Sequence, residues 1–552
     1  MVDTAAIYYQ QDAFSTENPK LMGRNAAGET FLGAYLKYSQ AKKYYVFTNS
    51  KTDIQHFSKR ASIEGKDIPI DLITHRTIKQ LEEVGTLFYP GPVIANFAFQ
   101  RKLIDKFSWS ICGITHTTSS SAVMDAISNW CVSPVQEWDA VICTSSAVQN
   151  HVKTILQKQE TYLKKRLGIS RFISPQLPVI PLGIHVKNFE FTKTQKAESK
   201  STLGIDQNAL VCLYLGRLSF HAKAHPLAMY QALEIAAKST NKKIILIECG
   251  WFANEHIKKA FNEAAKLACP SIEVMQLDGR IAENRDLAWS AGDIFCSLSD
   301  NIQETFGIVP IEAMAAGLPV VVSDWDGYKD TVRDGIDGFR IPTLIPEKQL
   351  GSDLATRYAL ELDNYDMYCG HTCSLISVDV QAAARAFITL FNNSDLRDKM
   401  SAMASQRAKE IYDWSVIFPQ YEQLWTELKT IRKKHKMDNP NQSYTWPARL
   451  SPFEGFSHYA TKQLNINSFI ELVDKNPRKS LELVLSYKKL KMISFADFVI
   501  PSDDEIKQII YNLKDSSVEI NHILSSFVIE RRPYILRSFV WLFKLNIIQF
   551  SL

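Results

Sequence analysis

The sequence predicts an α/β protein in which two Rossmann-like domains face each other across a cleft and a helical extension follows them. From about residue 209, short apolar runs alternate with amphipathic helical stretches, the pattern of a parallel sheet covered by helices on both faces. The first half repeats this alternation less regularly, and the chain becomes helical after about residue 375. Because ligands of such sheets bind beyond the carboxyl ends of the strands, the facing domains are expected to share one site.

The individual elements follow from the period and length of each apolar run. Strands of the second domain are predicted at residues 209–215, 243–248, 271–277, 294–298 and 319–323, with helices at 226–237, 253–267, 285–291 and 309–316. Candidate strands of the first domain are residues 44–48, 93–97, 110–114, 140–143 and 179–181, and later helices are predicted at 380–391, 395–412 and 416–433.

Composition indicates an ordinary globular protein. Of the 552 residues, 46% are hydrophobic and 22% are charged, and the formal net charge of +4 is too small at this length to indicate a nucleic-acid partner. The nine cysteines are scattered singly, several on apolar runs, as is typical of reduced core thiols. The start has no basic segment and no apolar run approaches a membrane span, so the sequence predicts a cytoplasmic protein.

Two glutamates eight residues apart, Glu304 and Glu312, mark the most informative stretch. Thr305, Phe306 and Gly307 lie between an apolar run and a helical run, so their N–H groups are expected to point outward at a helix N-terminus, which attracts phosphate. Glu304 would lie at the mouth of this site and Glu312 about two helical turns further along. Because two glutamates at this spacing are common by chance, only the surrounding motifs can indicate whether the pair belongs to a binding site.

Two basic residues precede this stretch in the same predicted domain. Arg217 ends its first strand in the motif Gly216-Arg217-Leu218, and Lys223 lies six residues on, before the next helix. Both side chains can reach the cleft, where a guanidinium fork and an ammonium form a phosphate-binding pair. Cations at this position also stabilise a phosphate leaving group as it gains negative charge.

The motifs also occur in a recognisable order. Over residues of about 205–430, the sequence closely resembles glycosyltransferase family 4 (group 1), whose members are retaining, nucleotide-sugar-dependent enzymes with the GT-B fold. The resemblance rests on Gly216-Arg217-Leu218 with Lys223, Asp278-Gly279, residues 291–295, the Glu304/Glu312 pair and residues 312–320, and more loosely on residues 27–29, His116, residues 141–145 and residues 180–183.

The resemblance implies roles for these residues. Arg217 and Lys223 would bind the donor diphosphate, Glu312 the ribose hydroxyls, and Glu304 the donor sugar. His116 would face donor sugar and acceptor, although a lone histidine after a strand is often structural. The implied catalytic residues are thus His116, Arg217, Lys223 and Glu304, and the donor site also includes Gly28, Gly216, Thr305, Phe306, Gly307, Ile308 and Glu312.

Gly28 is assigned from the motif Ala27-Gly28-Glu29. It is expected to open a helix whose N-terminus suits a phosphate or an acceptor hydroxyl. The alternative is an ordinary glycine at a loop-to-helix junction.

The resemblance also implies the reaction. The sugar would be transferred with retention, by a front-face displacement in which the departing phosphate oxygen takes the acceptor proton and no protein nucleophile is needed. No cofactor is expected, since the nucleoside-diphosphate-sugar is a co-substrate. The acceptor class, whether glycan, lipid-linked or protein, stays open, and bacterial-type polysaccharide or glycoconjugate synthesis is the expected context.

Other interpretations remain at this stage. Asp324-Trp325-Asp326 has the form of a divalent-cation site, but Arg217 and Lys223 already supply positive charge, so no metal is predicted there. Residues 369–373, with Cys369, His371 and Cys373, lack a second ligand pair for zinc and are interpreted as a loop. A catalytically idle GT-B subunit, a GT-B epimerase and a phosphorylase are the alternative functions.

Several residues depart from the family pattern and leave the donor sugar open. They are Ala224, His185, Asp326, Gly327 and Asp330. The polar residues Asp300, Asn301 and Gln303 either contact sugar hydroxyls or cap the loop before the helix.

The domain organisation is predicted as an acceptor-side domain at residues 1–195 and a nucleotide-sugar domain at residues 196–395. Helices at 396–436 would pack back across the core, followed by a linker at 437–464 and a helical accessory domain at 465–552, with a winged-helix-like module as one form of it. The accessory domain would serve acceptor selection, docking or homo-oligomer formation. The basic residues 429–436 are interpreted as solvated linker charge, with peripheral contact to the inner face of a membrane as the alternative.

Overall fold

A computed structural model describes residues 4–16, 23–438, 446–514 and 517–551. The chain divides into two compact units, residues 1–446 and residues 447–552. The first unit contains both predicted α/β domains, and the second has a hydrophobic core of its own. In the described part of the chain, no helix combines the length and apolar character needed to cross a membrane.

The first domain is built on six short strands. They are β1 (Ala6–Tyr8), β2 (Tyr44–Phe47), β3 (Ile70–Ile73), β4 (Thr86–Phe88), β5 (Ser110–Ile114) and β6 (Ala140–Ile142). All neighbours pair in parallel, in the order β3-β2-β1-β4-β5-β6. The helices are α1 (Gly23–Tyr38), α2 (Lys51–Glu64), α3 (Leu81–Val84), α4 (Ala95–Lys102), α5 (Ser121–Ser128) and α6 (Ser146–Leu167).

The second domain repeats the plan. Its strands are β7 (Leu210–Leu215), β8 (Ile244–Gly250), β9 (Glu273–Asp278), β10 (Ile294–Ser297), β11 (Val320–Ser323) and β12 (Gly338–Ile341). They pair in parallel in the order β12-β11-β10-β7-β8-β9. The helices are α7 (Lys193–Thr202), α8 (Leu227–Thr240), α9 (Glu255–Ala268), α10 (Ala282–Ala291), α11 (Ile308–Ala315) and α12 (Tyr328–Thr331).

The two sheets therefore share one doubly wound topology. In each, the strand order reverses beside the first strand, between β1 and β4 and between β7 and β10. Such a switch point leaves a crevice beyond the carboxyl ends of the two strands, where ligands of doubly wound sheets bind. The predicted α/β class with two Rossmann-like domains is confirmed.

Beyond β12 the first unit becomes mainly helical. The chain forms an antiparallel pair of β13 (Thr343–Leu344) with β14 (Ser377–Val378), and α13 (Ser352–Ala359) and α14 (Tyr365–Cys373) lie between these strands in sequence. The remaining elements are α15 (Val380–Asn392), α16 (Ser394–Arg407), a π-helix at Ala408–Tyr412 and α17 (Trp414–Asp438).

Helix α17 packs against the first domain. The N–H of Trp414 donates to the carbonyl of Ile184 at 3.0 Å. The Trp414 ring lies so close to Gly183 that an added Cβ would approach it to 2.5 Å. Further along the helix, Tyr421 lies 5.2 Å from Phe31 between ring centroids. The first domain thus completes its aromatic core with residues from the end of the first unit.

The second unit combines helices with a small sheet. The strands β15 (Phe469–Leu472), β16 (Val518–Glu519) and β17 (Ile548–Phe550) pair antiparallel in the order β16-β15-β17. The helices are α18 (Pro452–Gly455), α19 (Pro477–Lys488), α20 (Lys491–Ser494), α21 (Asp503–Asn512), α22 (Ile520–Ser525) and α23 (Arg532–Lys544).

Across both units, the described residues also form short 3₁₀ turns. They are Gln11–Ala13, Ile78–Gln80, Asn129–Val132, Val186–Phe189, Lys348–Gly351, Ser457–Tyr459 and Ile529–Arg531.

The structure corrects several predicted elements. The apolar run at 93–97 is not a strand but lies largely in α4, because a short apolar run does not by itself distinguish strand from helix. The run at 179–181 forms only a single bridge, between Val179 and Cys143. Strands β1, β3, β4, β12, β13 and β14 were not predicted, and neither was the sheet within the accessory region.

Two predicted loops are also helical. Residues 369–373 lie in α14. The basic stretch 429–436 lies in α17, where His435 approaches Glu137 at 3.3 Å and Lys436 approaches Asp105 at 3.5 Å, so it is not linker charge. Of the predicted linker, residues 439–445 lie outside the described residues, and α18 follows them.

A buried ion pair holds the first domain's elements together. Arg101 of α4 donates to both carboxylate oxygens of Asp139, at 2.5 and 2.8 Å, and to the carbonyl of Trp109 at 2.9 Å. Both side chains are essentially inaccessible, at 1% and 0% exposure. Asp139 also accepts the N–H of Ile111 on β5 at 2.9 Å.

Replacing Asp139 by Ala should strongly destabilise the first domain, because it leaves the Arg101 guanidinium buried without its counter-charge. The expected loss is about 3–5 kcal/mol of unfolding free energy, measured by urea unfolding followed by tryptophan fluorescence. The matched control is Asp125→Ala at an exposed position on α5. Equal midpoints for the two variants would contradict the assignment.

Candidate functional site

The candidate site lies at the switch point of the second sheet. The loop after β7 carries Arg217 and Lys223, and the loop after β10 carries Glu304. Loops at the carboxyl ends of β5 and β6 approach from the first domain. There the hydroxyl of Thr305 donates to the carbonyl of His116 at 2.6 Å, and the hydroxyl of Ser145 donates to the carbonyl of Thr305 at 2.7 Å. The carboxyl ends of the two sheets therefore meet at Thr305.

Both predicted cations are directed at the loop after β10. The Lys223 ammonium forms an ion pair with Oε2 of Glu304 at 2.5 Å. Nη2 of Arg217 donates to the side-chain carbonyl of Gln303 at 3.0 Å and to the carbonyl of Ala222 at 2.8 Å. Two positive charges thus lie side by side at the carboxyl end of β7. Both contact the loop after β10, and Arg217 also contacts the loop that carries it.

Glu304 is held as a carboxylate. Burial alone would raise its pKa, but the Lys223 ammonium and the backbone N–H groups of Thr305 and Phe306 hold the pKa below its ordinary value. The hydroxyl of Tyr328 also lies 3.4 Å from Oε2 of Glu304. A carboxylate kept ionised and this well paired is suited to accepting hydrogen bonds, not to acting as a general acid.

The backbone of residues 305–307 is arranged differently from the prediction. The N–H of Thr305 does not point outward, because it donates to Oε1 of Glu304 at 3.3 Å. Phe306 is a core residue with 2% exposure. Gly307 is the N-cap of α11 with φ of 78°, and an added Cβ would come within 1.9 Å of the Tyr328 ring. Ile308 is the first residue of that helix.

Glu312 lies one turn into α11 and differs electrostatically from Glu304. Burial raises its pKa to about 7, although the positive charges of Arg285 and Lys223 act to lower it. Within the described residues its carboxylate makes no side-chain hydrogen bond. Glu312 is therefore a poorly hydrated carboxylate that gains from a ligand able to donate hydrogen bonds.

The other glycines of the predicted donor site have structural roles. Gly28 does not open a helix: it lies inside α1, where an added Cβ would come within 2.0 Å of the Ala13 carbonyl. Close contact between α1 and the loop after β1 is the reason for this glycine. Gly216, before Arg217, has φ of 151°, a conformation open mainly to glycine.

The three polar residues before Glu304 all make hydrogen bonds to protein groups. Asp300 accepts the N–H of His225 at 3.2 Å, and burial raises its pKa to about 7. Asn301 donates to the carbonyl of His221 at 3.0 Å. These two brace the loop, whereas Gln303 contacts Arg217.

Sequence reasoning did not find Tyr328 or Tyr365. The hydroxyl of Tyr328 hydrogen-bonds with Ser297 at 2.9 Å, below Glu304. Tyr365 contacts a residue 248 positions earlier in the chain, Thr117. No local pattern marks either residue, because their roles depend on long-range contacts.

The two metal alternatives gain no geometric support. Asp324 is directed at Arg340, at 3.4 Å, while Asp326 accepts a hydrogen bond from Ser145 at 3.2 Å. In α14, His371 is 3.1 Å from Asp363, away from the thiol of Cys373. Among the residues that the structure describes, no three His, Cys, Asp or Glu side chains gather as a metal site.

Comparisons with known proteins match the segment of the chain that carries the candidate site. Residues 195–350 match the family model for group 1 glycosyl transferases. This confirms the predicted family resemblance for the second domain, which carries Arg217, Lys223 and both glutamates.

The sequence is also similar to curated enzymes over part of their length. It is 30% identical over 148 residues to the phosphatidyl-myo-inositol mannosyltransferase of Mycobacterium leprae, covering 27% of this chain and 30% of that enzyme. For the enzyme of the same name from Mycobacterium tuberculosis, identity is 26% over 243 residues, 44% of this chain and 51% of that enzyme. The chain thus matches about half, or less, of these relatives.

The fold is similar to that of Anabaena Alr3699/HepE, solved in complex with UDP. The TM-score is 0.50 at 14% sequence identity, and the match covers 77% of this chain and 100% of the other. At this identity the likeness concerns the fold alone, and it confirms the predicted GT-B architecture.

The raised pKa of Glu312 predicts a pH-dependent stability term. The folded protein keeps a proton on Glu312 up to about pH 7, whereas the ordinary pKa of the unfolded chain is 4.5. The stabilisation is therefore complete below about pH 4.5 and is lost as pH rises through about 7, by about 1–3 kcal/mol. Glu312→Gln should lack this term, measured as the wild-type minus variant unfolding free energy from pH 5 to 8.

The matched control for this measurement is Glu283→Gln, an exposed position on α10. A constant difference between wild type and Glu312→Gln across the pH range would show that Glu312 does not titrate near neutrality.

Proposed function

We propose that the chain is a glycosyltransferase that moves a sugar from a nucleoside-diphosphate-sugar to an acceptor hydroxyl. One observation carries the proposal: Lys223 pairs with Glu304, at 2.5 Å, beside Arg217 at the switch point of the second sheet. Cations at this point suit a diphosphate, and carboxylates suit sugar hydroxyls. The segment that carries them matches the group 1 glycosyl transferase model.

The roles follow from the electrostatics of each residue. Arg217 and Lys223 would exchange Gln303 and Glu304 for the oxygens of the diphosphate and stabilise its charge as the glycosidic bond breaks. The carboxylate of Glu312 would accept hydrogen bonds from the ribose hydroxyls. Glu304, kept ionised, would accept hydrogen bonds from the donor sugar, and the loop that contains His116 would close over it.

The same proposal covers the stereochemistry, the metal requirement, the donor and the acceptor. Transfer would proceed with retention, as the family resemblance implies. It would need no metal, because Arg217 and Lys223 already oppose the leaving-group charge. Since the Anabaena protein was solved with UDP, UDP-sugars are the first donors to test. The relatives named for phosphatidyl-myo-inositol make lipid-linked acceptors the first acceptor class, ahead of glycans and proteins, in cytoplasmic polysaccharide or glycoconjugate synthesis.

Donor screening tests the proposal directly. The protein is incubated with UDP-, GDP-, ADP- and dTDP-sugars, and both donor hydrolysis and the shift in melting temperature are measured. One nucleotide class should stabilise the protein and be hydrolysed, and Glu312→Ala should weaken both responses. The absence of any response to all four classes would favour a catalytically idle GT-B subunit.

Substitution of the cations tests the chemistry. Arg217→Ala and Lys223→Ala should each lower turnover of the identified donor about 100-fold, since preorganised charge at a leaving group contributes a few kcal/mol. Lys259→Ala, at a position on α9 with 77% side-chain exposure, is the control. Wild-type turnover in both purified, folded variants would overturn the assignment.

A further inference from the structure

Helices α13 and α14 form a braced hairpin between β13 and β14. Arg357 donates to both carboxylate oxygens of Asp363, at 2.9 and 3.0 Å, across the turn between the helices. The rings of Tyr358 and Tyr368 stack at 4.2 Å with an interplanar angle of 5°. The ion pair and the stacked rings together make the hairpin one unit.

One side of α14 lies against the loop that carries Arg217 and Lys223. An added Cβ at Gly370 would come within 3.0 Å of the His221 Cβ, so the helix backbone lies directly on this loop. The thiol of Cys373 lies 3.7 Å from the carbonyl of Phe220. The hairpin is therefore anchored to the second domain at the phosphate-facing loop.

The other side of the hairpin contacts the first domain. The Tyr365 hydroxyl lies 2.9 Å from Oγ of Ser119 and 3.2 Å from Oγ1 of Thr117. The Tyr358 hydroxyl accepts the N–H of Ser121 at 2.8 Å. All three first-domain residues follow β5 directly after His116, so the hairpin holds the very loop that faces the site.

Tyr365 is also connected to Arg217 through Gln303. Its hydroxyl accepts a hydrogen bond from Nε2 of Gln303 at 3.1 Å, and Oε1 of Gln303 accepts one from Arg217 at 3.0 Å. Burial raises the pKa of Tyr365, so the hydroxyl keeps its proton and can donate to one neighbour while it accepts from another. A chain of hydrogen bonds thus runs from the first-domain loop through Tyr365 and Gln303 to Arg217.

We propose that α14 is a strap that holds the two domains closed over the site, and that Tyr365 is a positioning residue that couples this closure to the orientation of Arg217. The second half of this inference rests on the proposed function, in which Arg217 binds the donor diphosphate. The first half, closure, depends only on the contacts between the domains.

The test removes one hydroxyl and keeps the ring. Tyr365→Phe is compared with Tyr368→Phe, three residues along α14, whose hydroxyl makes no hydrogen bond to any described residue. Amide hydrogen exchange is measured without donor, and kcat and KM are measured with the donor found by screening. In Tyr365→Phe, exchange should rise selectively in residues 115–121 and 301–305, and kcat should fall about tenfold with a smaller change in KM.

Each outcome decides one part of the inference. Exchange and kcat equal to those of Tyr368→Phe would overturn the strap, as would a rise in exchange spread over the whole chain, which signals general destabilisation. Selective exchange with unchanged kcat would remove the positioning role and keep the closure. If wild type turns over no donor but exchange still rises selectively in Tyr365→Phe, closure stands while the proposed function fails.

Discussion

The ion pair of Lys223 with Glu304 is the interaction on which the arrangement of the candidate site depends. It joins the loops that follow β7 and β10, the two strands between which the sheet reverses its order. The exposed fractions are 26% for Lys223 and 10% for Glu304, so both charges have lost much of their hydration and each needs the other. A phosphate that reaches Lys223 would replace one anionic partner by another. The ammonium is already partly desolvated before the ligand arrives, which favours an anion over water at this position.

Five strands of the second domain, β7 to β11, could be predicted because most of them are buried apolar runs between polar turns, whereas β12 was not predicted. Strands β1 and β4 have three residues each and were not predicted, although β6 is equally short and was predicted within the run 140–143. Within the site, the motifs identified Arg217 and the two glutamates, but not the geometry of the backbone between them. The expected phosphate-facing N–H of Thr305 is taken by the adjacent carboxylate of Glu304, a competition that sequence spacing cannot reveal. Tyr365 could not be predicted because its partners Thr117 and Ser119 lie in another domain and Gln303 lies 62 residues away in the sequence.

Similarity to known proteins is unevenly distributed over the chain. The family model covers residues 195–350, which include the switch-point loops, whereas the fold likeness extends over 77% of the chain. The segment that matches the family model thus includes the loops that carry Arg217, Lys223 and Glu304. The second unit has its own core, formed by residues such as Ile470, Ile506 and Phe539. Its three-stranded antiparallel sheet was not predicted as such, since the sequence indicated a helical domain with a winged-helix-like module as one form of it.

The return of α17 to the first domain has a consequence for biosynthesis. Phe88 packs on Trp425 of α17, with ring centroids 6.2 Å apart, although more than 300 residues separate them in the chain. At a translation rate of about 5–20 residues per second, the nascent first domain would wait roughly 20–70 seconds for its last helix. During that interval its aromatic face would be open to water and to other nascent chains. The aromatic face of the first domain is therefore covered only after the ribosome has passed α17.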